Sequence, residues 1–456
     1  MTSEPVTCPC SKLPETMLIR GGLLLTQDTS LGELRADILI QDGKICAVDQ
    51  KIEVQADRVI DAEDYVILPG FIDTHRHTWQ SALRLNNVGM DYQSYIYQFL
   101  LPFGAKMAPG DVYTGTLIGA VSAIDAGITT LRDESNIQNS PAHTDAAIQA
   151  LRDSGIRAVF DYGYPLTEPR QWLVNSSLPH PEDILRLRRD VLNDDDALVT
   201  LGMMLRGPGM TTMDIARQDI ELMRELNLRG CLHVGETLEY KQNPVIPRLQ
   251  AANLLGPDLT FIHCCTCEKN ELEAIRESGG SVSIPAAIDA LMPGLGSPAT
   301  GRALAAGIRP SLSIDVETVA SPDMFGVMRA AWLAQQLNRK LSPVIVENEG
   351  EFTARDLISF ATIDGAKACG IESKVGSITP GKQADLIMID IKSINIVPAA
   401  NFTDAIVSSV HSGNVTDVMI NGQFVKRQGK LTQVSTERVI DLAAQSRCRL
   451  LGSLAD

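Results

Sequence analysis

The chain has 456 residues, of which 44% are hydrophobic and 21% charged, a composition ordinary for a globular protein with a large core. Its formal net charge of −16 argues against nucleic acid as a partner, because phosphate binding needs clustered Lys and Arg. No apolar run reaches the roughly 18 residues of a membrane span, and the nine cysteines form no disulfide framework, so we expect a cytoplasmic protein.

The first segment, residues 1–16, is predicted to be a flexible tail. It contains three prolines and little periodicity. It has neither a basic n-region nor an apolar h-region, so we expect no signal peptide. Cys8 and Cys10 have no second pair at zinc-site spacing, and we do not expect them to bind metal.

Residues 17–68 contain short apolar runs separated by turn signals. Asp42-Gly43 lies between two of these runs and is typical of a two-residue hairpin turn. Similar runs return beyond residue 371, with Asn421-Gly422 as a second hairpin signal, and a helical pattern begins at Thr436. We therefore predict a small antiparallel unit at 17–68 that pairs with 372–456 into a composite β-sandwich with a C-terminal helix.

Residues 69–371 alternate between strand-like and helical segments. Eight strand-like runs, beginning with FIDTHRH and ending with SLSID, are separated by segments with helical spacing of apolar residues. This alternation predicts parallel strands joined by crossover helices. Eight such units over about 300 residues fit a closed (β/α)₈ barrel better than an open sheet, so the predicted fold class is α/β.

Two of the seven histidines lie at the end of the first predicted barrel strand. His75 and His77 point to one face of that strand and Arg76 to the other, and paired imidazoles suit zinc or iron. Later strands also end in polar residues: His233, Glu236, His263 and Asp315. Because the strand ends converge in a closed barrel, we expect all of these groups except Arg76 to share one site.

Three further residues are candidates for contact with a substrate. Trp79 and Gln80 follow the first barrel strand and would stack on and hydrogen-bond to a planar heterocycle, with packing beneath a lid as the alternative for Trp79. Arg206 follows the fourth strand and would meet an anionic or carbonyl group, with a solvated loop position as the alternative. The tyrosine-rich segment 90–103 is a candidate lid or dimer contact.

These motifs resemble the amidohydrolase superfamily, in its cytosine deaminase and chlorohydrolase-like branch. The resemblance runs from about residue 17 to residue 432 and is carried by LPGFIDTHRH, GITTLRDES, HVGE, IHC, SID and GSITPGKQADLIMID. The HRHTWQ stretch is similar to a less characterised subgroup, because many deaminases of this branch have a small or uncharged residue where this chain has Arg76.

The resemblance implies a metal-dependent hydrolase that cleaves a C–N bond of a cyclic or heterocyclic small molecule, with deamination first. It implies one divalent metal, zinc first and iron as the alternative, held by His75, His77, His233 and Asp315. Asp315 would also take a proton from the attacking water, His263 would orient that water or polarise the substrate, and Glu236 would shuttle a proton. The fourth strand lacks the lysine that bridges two metals in some relatives, so we expect a mononuclear site.

Other functions remain open at this stage. A cyclic amide hydrolase or a dechlorinase would use the same machinery, and a lyase or isomerase would move protons through Asp315 or Glu236 without attack by water. A metal-free binding scaffold is a third class. We expect a small-molecule substrate, no nucleic acid or membrane partner, and a homodimer or larger homo-oligomer.

Overall fold

The computed structural model describes residues 16–341 and 349–452, and the predicted tail lies outside these ranges apart from Thr16. Cys8 and Cys10 lie outside them too. The strands in the described ranges are β1 (Thr16–Leu25), β2 (Glu33–Gln41), β3 (Lys44–Asp49), β4 (Arg58–Asp61), β5 (Tyr65–Pro69), β6 (Phe71–Arg76), β7 (Ile128–Ser135), β8 (Arg157–Tyr162), β9 (Val199–Met204), β10 (Gly230–Val234), β11 (Leu259–His263), β12 (Ser281–Ile284), β13 (Ser311–Leu312), β14 (Leu386–Asp390), β15 (Val415–Ile420), β16 (Gln423–Arg427) and β17 (Lys430–Leu431).

The α-helices in the same ranges are α1 (Tyr92–Ser94), α2 (Leu101–Lys106), α3 (Pro109–Asp125), α4 (Pro141–Ser154), α5 (Pro169–Leu173), α6 (Asp183–Arg186), α7 (Gly207–Met210), α8 (Met213–Glu225), α9 (Val245–Ala251), α10 (Lys269–Ser278), α11 (Ala286–Leu291), α12 (Thr300–Ala305), α13 (Met324–Leu341), α14 (Ala354–Phe360), α15 (Ile363–Cys369), α16 (Phe402–Ser408) and α17 (Thr436–Gly452). Short 3₁₀ segments occur at Thr78–Leu83, Leu238–Gln242 and Ser412–Asn414, and π-helical turns at Tyr95–Leu100 and Leu187–Val191. No helix in the described ranges is both long and apolar enough to cross a membrane.

Strands β6 to β13 form the predicted barrel. They pair in chain order as eight parallel strands. The barrel closes between the first strand and the segment after the last one, where Asp315 N donates to His75 O at 2.9 Å and His77 N donates to Asp315 O at 2.9 Å. The predicted (β/α)₈ fold is thereby confirmed, and its carboxyl ends lie around one axis.

The remaining strands form one nine-stranded sheet from both ends of the chain, with the order β17-β16-β15-β14-β5-β1-β2-β3 and β4 beside β1. The two ends of the chain meet where β14 pairs antiparallel with β5. The prediction that 17–68 is an antiparallel unit is wrong in part, because β4 and β5 both run parallel to β1. The physical reason is that residues 50–57 cross from the edge strand β3 back to β1, which a tight hairpin would not allow.

The two predicted hairpin turns lie against each other. Asp42 and Gly43 have φ values of 51° and 77°, and Asn421 and Gly422 have 51° and 73°. This left-handed pair is the geometry of a type I′ turn. A Cβ on Gly43 would lie 2.6 Å from Asn421 O, so the close approach of the two turns requires glycine.

Candidate metal centre and active site

The ends of β6 and β10 bring three histidines together at the mouth of the barrel. The ring centroid of His75 lies 4.8 Å from that of His77 and 4.9 Å from that of His233. The rings of His77 and His233 are stacked 5.5 Å apart. His77 Nδ1 lies 2.9 Å from the backbone oxygen of Glu134, which leaves its Nε2 free to face the centre of the barrel.

Asp315 and His263 complete the predicted group. Asp315 Oδ1 lies 3.2 Å from His75 Nε2 and 3.8 Å from His77 Nε2. His263 Nε2 lies 3.9 Å from Asp315 Oδ2, and its Nδ1 contacts Asp289 Oδ1 at 2.7 Å. Asp289 therefore orients the His263 ring, as carboxylates commonly do for functional imidazoles.

Backbone conformation holds two of these side chains in place. His263 and Asp315 have φ values of 69° and 65°, in the left-handed region that non-glycine residues rarely adopt. Such strain persists only where the surrounding structure enforces it, and it is concentrated at functional sites. His263 is the last residue of β11 and Asp315 lies three residues after β13, so each left-handed residue marks the point where the chain leaves the barrel wall.

Glu134 lies in the same cluster and was missed by the sequence reasoning. It is fully buried near the end of β7, with Oε2 at 3.2 Å from His75 Nδ1, 3.5 Å from His233 Nε2 and 3.9 Å from His77 Nε2. Neither of its carboxylate oxygens has a partner in hydrogen-bond geometry among the described residues. A signal was present, because GITTLRDES ends the second strand with a carboxylate just as later strands end with polar groups.

The carboxylates and imidazoles shift each other's proton affinity. Burial alone would lower the pKa of His75, but the carboxylates of Glu134 and Asp315 outweigh it and raise that pKa to about 10. Burial lowers the pKa of His233 to about 3. Burial also opposes ionisation of Glu134 and Asp315, yet the surrounding histidines hold the pKa of both carboxyls below the usual range. The cluster is thus built around carboxylates that stay charged.

The donor set fits a divalent metal. One atom each of His75, His77, Glu134 and His233 lies within 4.8 Å of the others, and His75, His263 and Asp315 form an overlapping group. Buried imidazole nitrogens and carboxylate oxygens without hydrogen-bond donors are the ligands that zinc and similar ions take. A bound cation also supplies the countercharge that buried carboxylates need.

A cavity of about 270 Å³ opens beside this cluster. His77, His233, His263, Glu236 and Asp315 line its floor. Its walls are mainly aromatic and aliphatic: Tyr92, Tyr95, Ile96, Leu100, Tyr164, Leu166, Leu173, Met210, Ile288, Met292 and Leu295, with Gln93 and Asn136 among them. The tyrosine-rich segment therefore covers one side of the cavity, while Glu236 and Asp315 are the acidic groups in its lining.

Trp79 and Gln80 lie behind the cavity wall. Both are fully buried. Trp79 Nε1 donates to Asn136 Oδ1 at 2.9 Å, and Gln80 Nε2 donates to the Tyr95 hydroxyl at 2.8 Å. The cavity is lined instead by Tyr95, which belongs to the candidate lid segment, and by Asn136, which the sequence reasoning did not select.

Arg206 is also directed away from the cavity. Its Nη2 donates to Asp219 Oδ2 and to the Leu178 carbonyl, each at 2.8 Å, and its guanidinium lies over the Trp172 ring. The side chain is 3% exposed and does not line the cavity. The structure therefore brings together six of the nine residues selected from the sequence, namely His75, His77, His233, Glu236, His263 and Asp315.

Arg76, the unusual residue between the two histidines, forms buried ion pairs. It points out of the barrel, where Nη1 donates to Asp73 Oδ2 at 3.2 Å and Nη2 contacts Glu317. Arg84 Nε contacts the other oxygen of Glu317 at 2.5 Å. This ion-pair network connects the first barrel strand to the loop that carries Asp315. It therefore fixes the position of Asp315 relative to His75 and His77.

Comparisons with known proteins identify the family and the fold of this chain. The family model described as amidohydrolase family matches residues 66–425. A 5′-deoxyadenosine deaminase from Methanobrevibacter smithii is 27% identical over 94% of this chain and 97% of its own length. A 5-methylthioadenosine/S-adenosylhomocysteine deaminase from Pyrococcus horikoshii is 26% identical over 93% and 98%. A solved adenosine deaminase from Xanthomonas campestris with bound zinc shares the fold, with a TM-score of 0.82 and 20% identity over 96% of this chain and 98% of that one.

Proposed function

The chain belongs to the amidohydrolase family, and we propose that it removes the exocyclic amino group from a neutral heterocyclic amine by hydrolysis. The observation that carries this proposal is that His77, His233 and Asp315, packed against the buried His75, line the floor of a mainly apolar cavity that also holds Glu236. The relatives named as deaminases of adenosine derivatives support a purine-like ring as the first substrate class to test.

In this proposal each group acts at a stated place. A bound divalent metal supplies the Lewis acidity that makes water nucleophilic at neutral pH. Asp315, held against His75 at 3.2 Å, accepts the proton of the attacking water. His263, oriented by Asp289, hydrogen-bonds to the attacking water. Glu236 delivers its proton to the ring nitrogen and regains one from the added hydroxyl as the product carbonyl forms. The proton that Asp315 took from the water leaves with the departing amine as ammonia.

The cavity favours a substrate without charge. Among the residues that the structure describes, its lining contains carboxylates but neither Lys nor Arg, and Arg206 is engaged with Asp219. A carboxylate or phosphate on the substrate would be buried without a countercharge, which is costly. The apolar walls suit a planar ring with an alkyl or thioalkyl substituent.

The test is a comparison of substrates that share one ring. We expect ammonia release from 5′-deoxyadenosine and 5′-methylthioadenosine, and much slower release from S-adenosylhomocysteine and adenosine monophosphate. Incorporation of oxygen-18 from labelled water into the product distinguishes hydrolysis from lyase or isomerase chemistry. Faster turnover of the phosphate than of the neutral nucleosides would contradict the proposal.

Zinc is the proposed native metal, with iron as the alternative, because imidazole and carboxylate ligands suit both. Metal analysis of protein purified without added metal decides between them. We also propose a cytoplasmic homodimer or larger homo-oligomer, which light scattering on the purified protein tests.

A further inference from the structure

We propose that Glu134 is itself a ligand of the metal, in addition to His75, His77, His233 and Asp315. The inference uses the same site as the proposed function, but it concerns metal binding alone and its test needs no substrate. Its starting point is the fully buried carboxylate near the end of β7, which faces three imidazoles.

The spacing of atoms around Glu134 is that of a coordination shell. Metal–ligand bonds of about 2.0–2.2 Å place neighbouring ligand atoms about 3–4 Å apart. Glu134 Oε2 lies 3.2, 3.5 and 3.9 Å from nitrogens of His75, His233 and His77, respectively. The carboxylate is therefore at ligand-to-ligand distance from three groups that already belong to the cluster.

Hydrogen bonding does not account for the position of this carboxylate. His75 Nδ1 is close to Glu134 Oε2, but neither atom has a partner in hydrogen-bond geometry among the described residues. Glu134 Oε1 also lacks one. Buried polar oxygens without donors are rare in native proteins and indicate an ion or another ligand. An ion bound between Glu134 and the Nε2 atoms of His77 and His233 supplies this carboxylate with a partner.

Charge leads to the same assignment. Arg132 lies on the same face of β7, two residues before Glu134, but its guanidinium is bonded to Asp161 and to Thr260. A buried carboxylate without a countercharge is strongly destabilising. With Glu134 and Asp315 as anionic ligands and the histidines neutral, a divalent metal makes the site electrically neutral. A neutral site also agrees with a neutral substrate.

The competing explanation is that Glu134 only positions His75. In that case the metal would keep the same number of protein ligands when Glu134 is changed. Loss of an outer partner of a ligand typically weakens metal binding by about 10–100-fold, whereas loss of a ligand should weaken it further and change the coordination geometry. These two consequences can be measured separately.

The experiment is cobalt(II) titration of the metal-free full-length protein, with affinity measured by competition against a chelator and geometry by visible absorption. Glu134→Gln keeps the size of the side chain but removes its charge. Asp133→Asn is the matched control, because Asp133 is the buried neighbour on the opposite face of β7, where its Oδ1 accepts from Thr78 N. Circular dichroism of the metal-free proteins establishes that each variant is folded.

We expect one cobalt per wild-type chain, with the weak visible bands of a six-coordinate ion that holds five protein ligands and one water. Glu134→Gln should bind more than about 100-fold more weakly and show the stronger bands of five-coordinate cobalt, while Asp133→Asn should match the wild type. If Glu134→Gln does not fold, Glu134→Asp, which retains the charge on a shorter arm, should weaken binding with altered bands. A folded Glu134→Gln with an unchanged spectrum and a loss of less than about 100-fold would overturn the assignment and leave Glu134 as a positioning residue. Two cobalt ions per chain would also overturn it, because the ligands would then be divided between two sites.

Discussion

Two buried carboxylates inside the barrel, Asp161 on β8 and Glu134 on β7, differ in what they contact. Both are fully buried. Asp161 Oδ1 accepts from Arg132 Nη2 at 3.2 Å, and its Oδ2 contacts Arg132 Nε and accepts from Cys231 Sγ at 3.1 Å. Glu134 has no partner in hydrogen-bond geometry among the described residues.

The difference indicates that Asp161 has a structural role and that Glu134 is available to bind a ligand. The chain itself supplies the cation for Asp161, so that the pair is complete whenever the protein is folded. For Glu134, the nearby imidazoles indicate that a bound metal supplies the cation. If this interpretation is correct, changes at the two positions should affect different measurements.

Glu236 is a third carboxylate with another role, and its replacement should have the largest effect. Glu236→Gln removes the proposed proton donor, so kcat should fall by about 10²–10⁴-fold. Metal content and the free energy of unfolding should stay close to those of the wild type, since Glu236 is not among the residues of the metal cluster. Steady-state kinetics beside metal analysis checks this, and loss of metal in Glu236→Gln would assign it to the cluster instead.

The pH dependence of the same residue gives a second test. Burial raises the pKa of Glu236 above the usual carboxyl range. Because the protonated form is the proposed donor, kcat/KM should decline as pH rises through this raised pKa. The decline should be absent from the residual activity of Glu236→Gln, and its persistence there would assign the titration to another group.

Replacement of Arg132 should break its ion pair with Asp161 without changing metal binding at Glu134. Arg132→Met leaves Asp161 buried without its cation, so the free energy of unfolding should fall by about 3–5 kcal/mol. Arg132→Met combined with Asp161→Leu should recover most of that loss, because an apolar pair needs no countercharge. Denaturant unfolding measures both variants, and cobalt affinity of the folded protein should be nearly unchanged in each.

Metal addition should stabilise the wild type more than Glu134→Gln. At a free metal concentration 100 times the wild-type dissociation constant, binding stabilises the folded state by about 2.7 kcal/mol. A variant that binds 100-fold more weakly gains only about 0.4 kcal/mol under the same conditions. Unfolding with and without chelator measures the difference, and an equal gain in both proteins would contradict a ligand role for Glu134.

The smallest effect is expected at Trp79, behind the cavity wall. Trp79→Phe keeps an aromatic ring at this buried position but removes the hydrogen bond to Asn136 Oδ1. A hydrogen bond of this kind contributes about 1 kcal/mol, so KM should rise about fivefold with little change in kcat. Metal affinity should not change, and a change would mean that Trp79 influences the metal cluster rather than the substrate.

Much of the barrel and its cluster was predictable because the signals are local. The alternation of strand and helix predicted eight parallel strands, and the spacing of His75 and His77 predicted that they share a face. Their convergence with His233, His263 and Asp315 followed from barrel closure alone. The parallel placement of β4 and β5 was not predictable, since it depends on how residues 50–57 cross the sheet.

By itself, the sequence determined the fold class, the family resemblance and the strand-end residues, since periodicity and motif spacing are properties of neighbouring positions. Only the tertiary structure decided which polar groups had partners. Arg206, Trp79 and Gln80 are turned toward Asp219, Asn136 and Tyr95 rather than into the cavity. Glu134 has no hydrogen-bond partner among the described residues, although it lies beside three imidazoles. Partners of this kind come from distant parts of the chain. Burial and interatomic distances, rather than residue type, therefore distinguish a charged side chain that is paired within the fold from one that can bind a ligand.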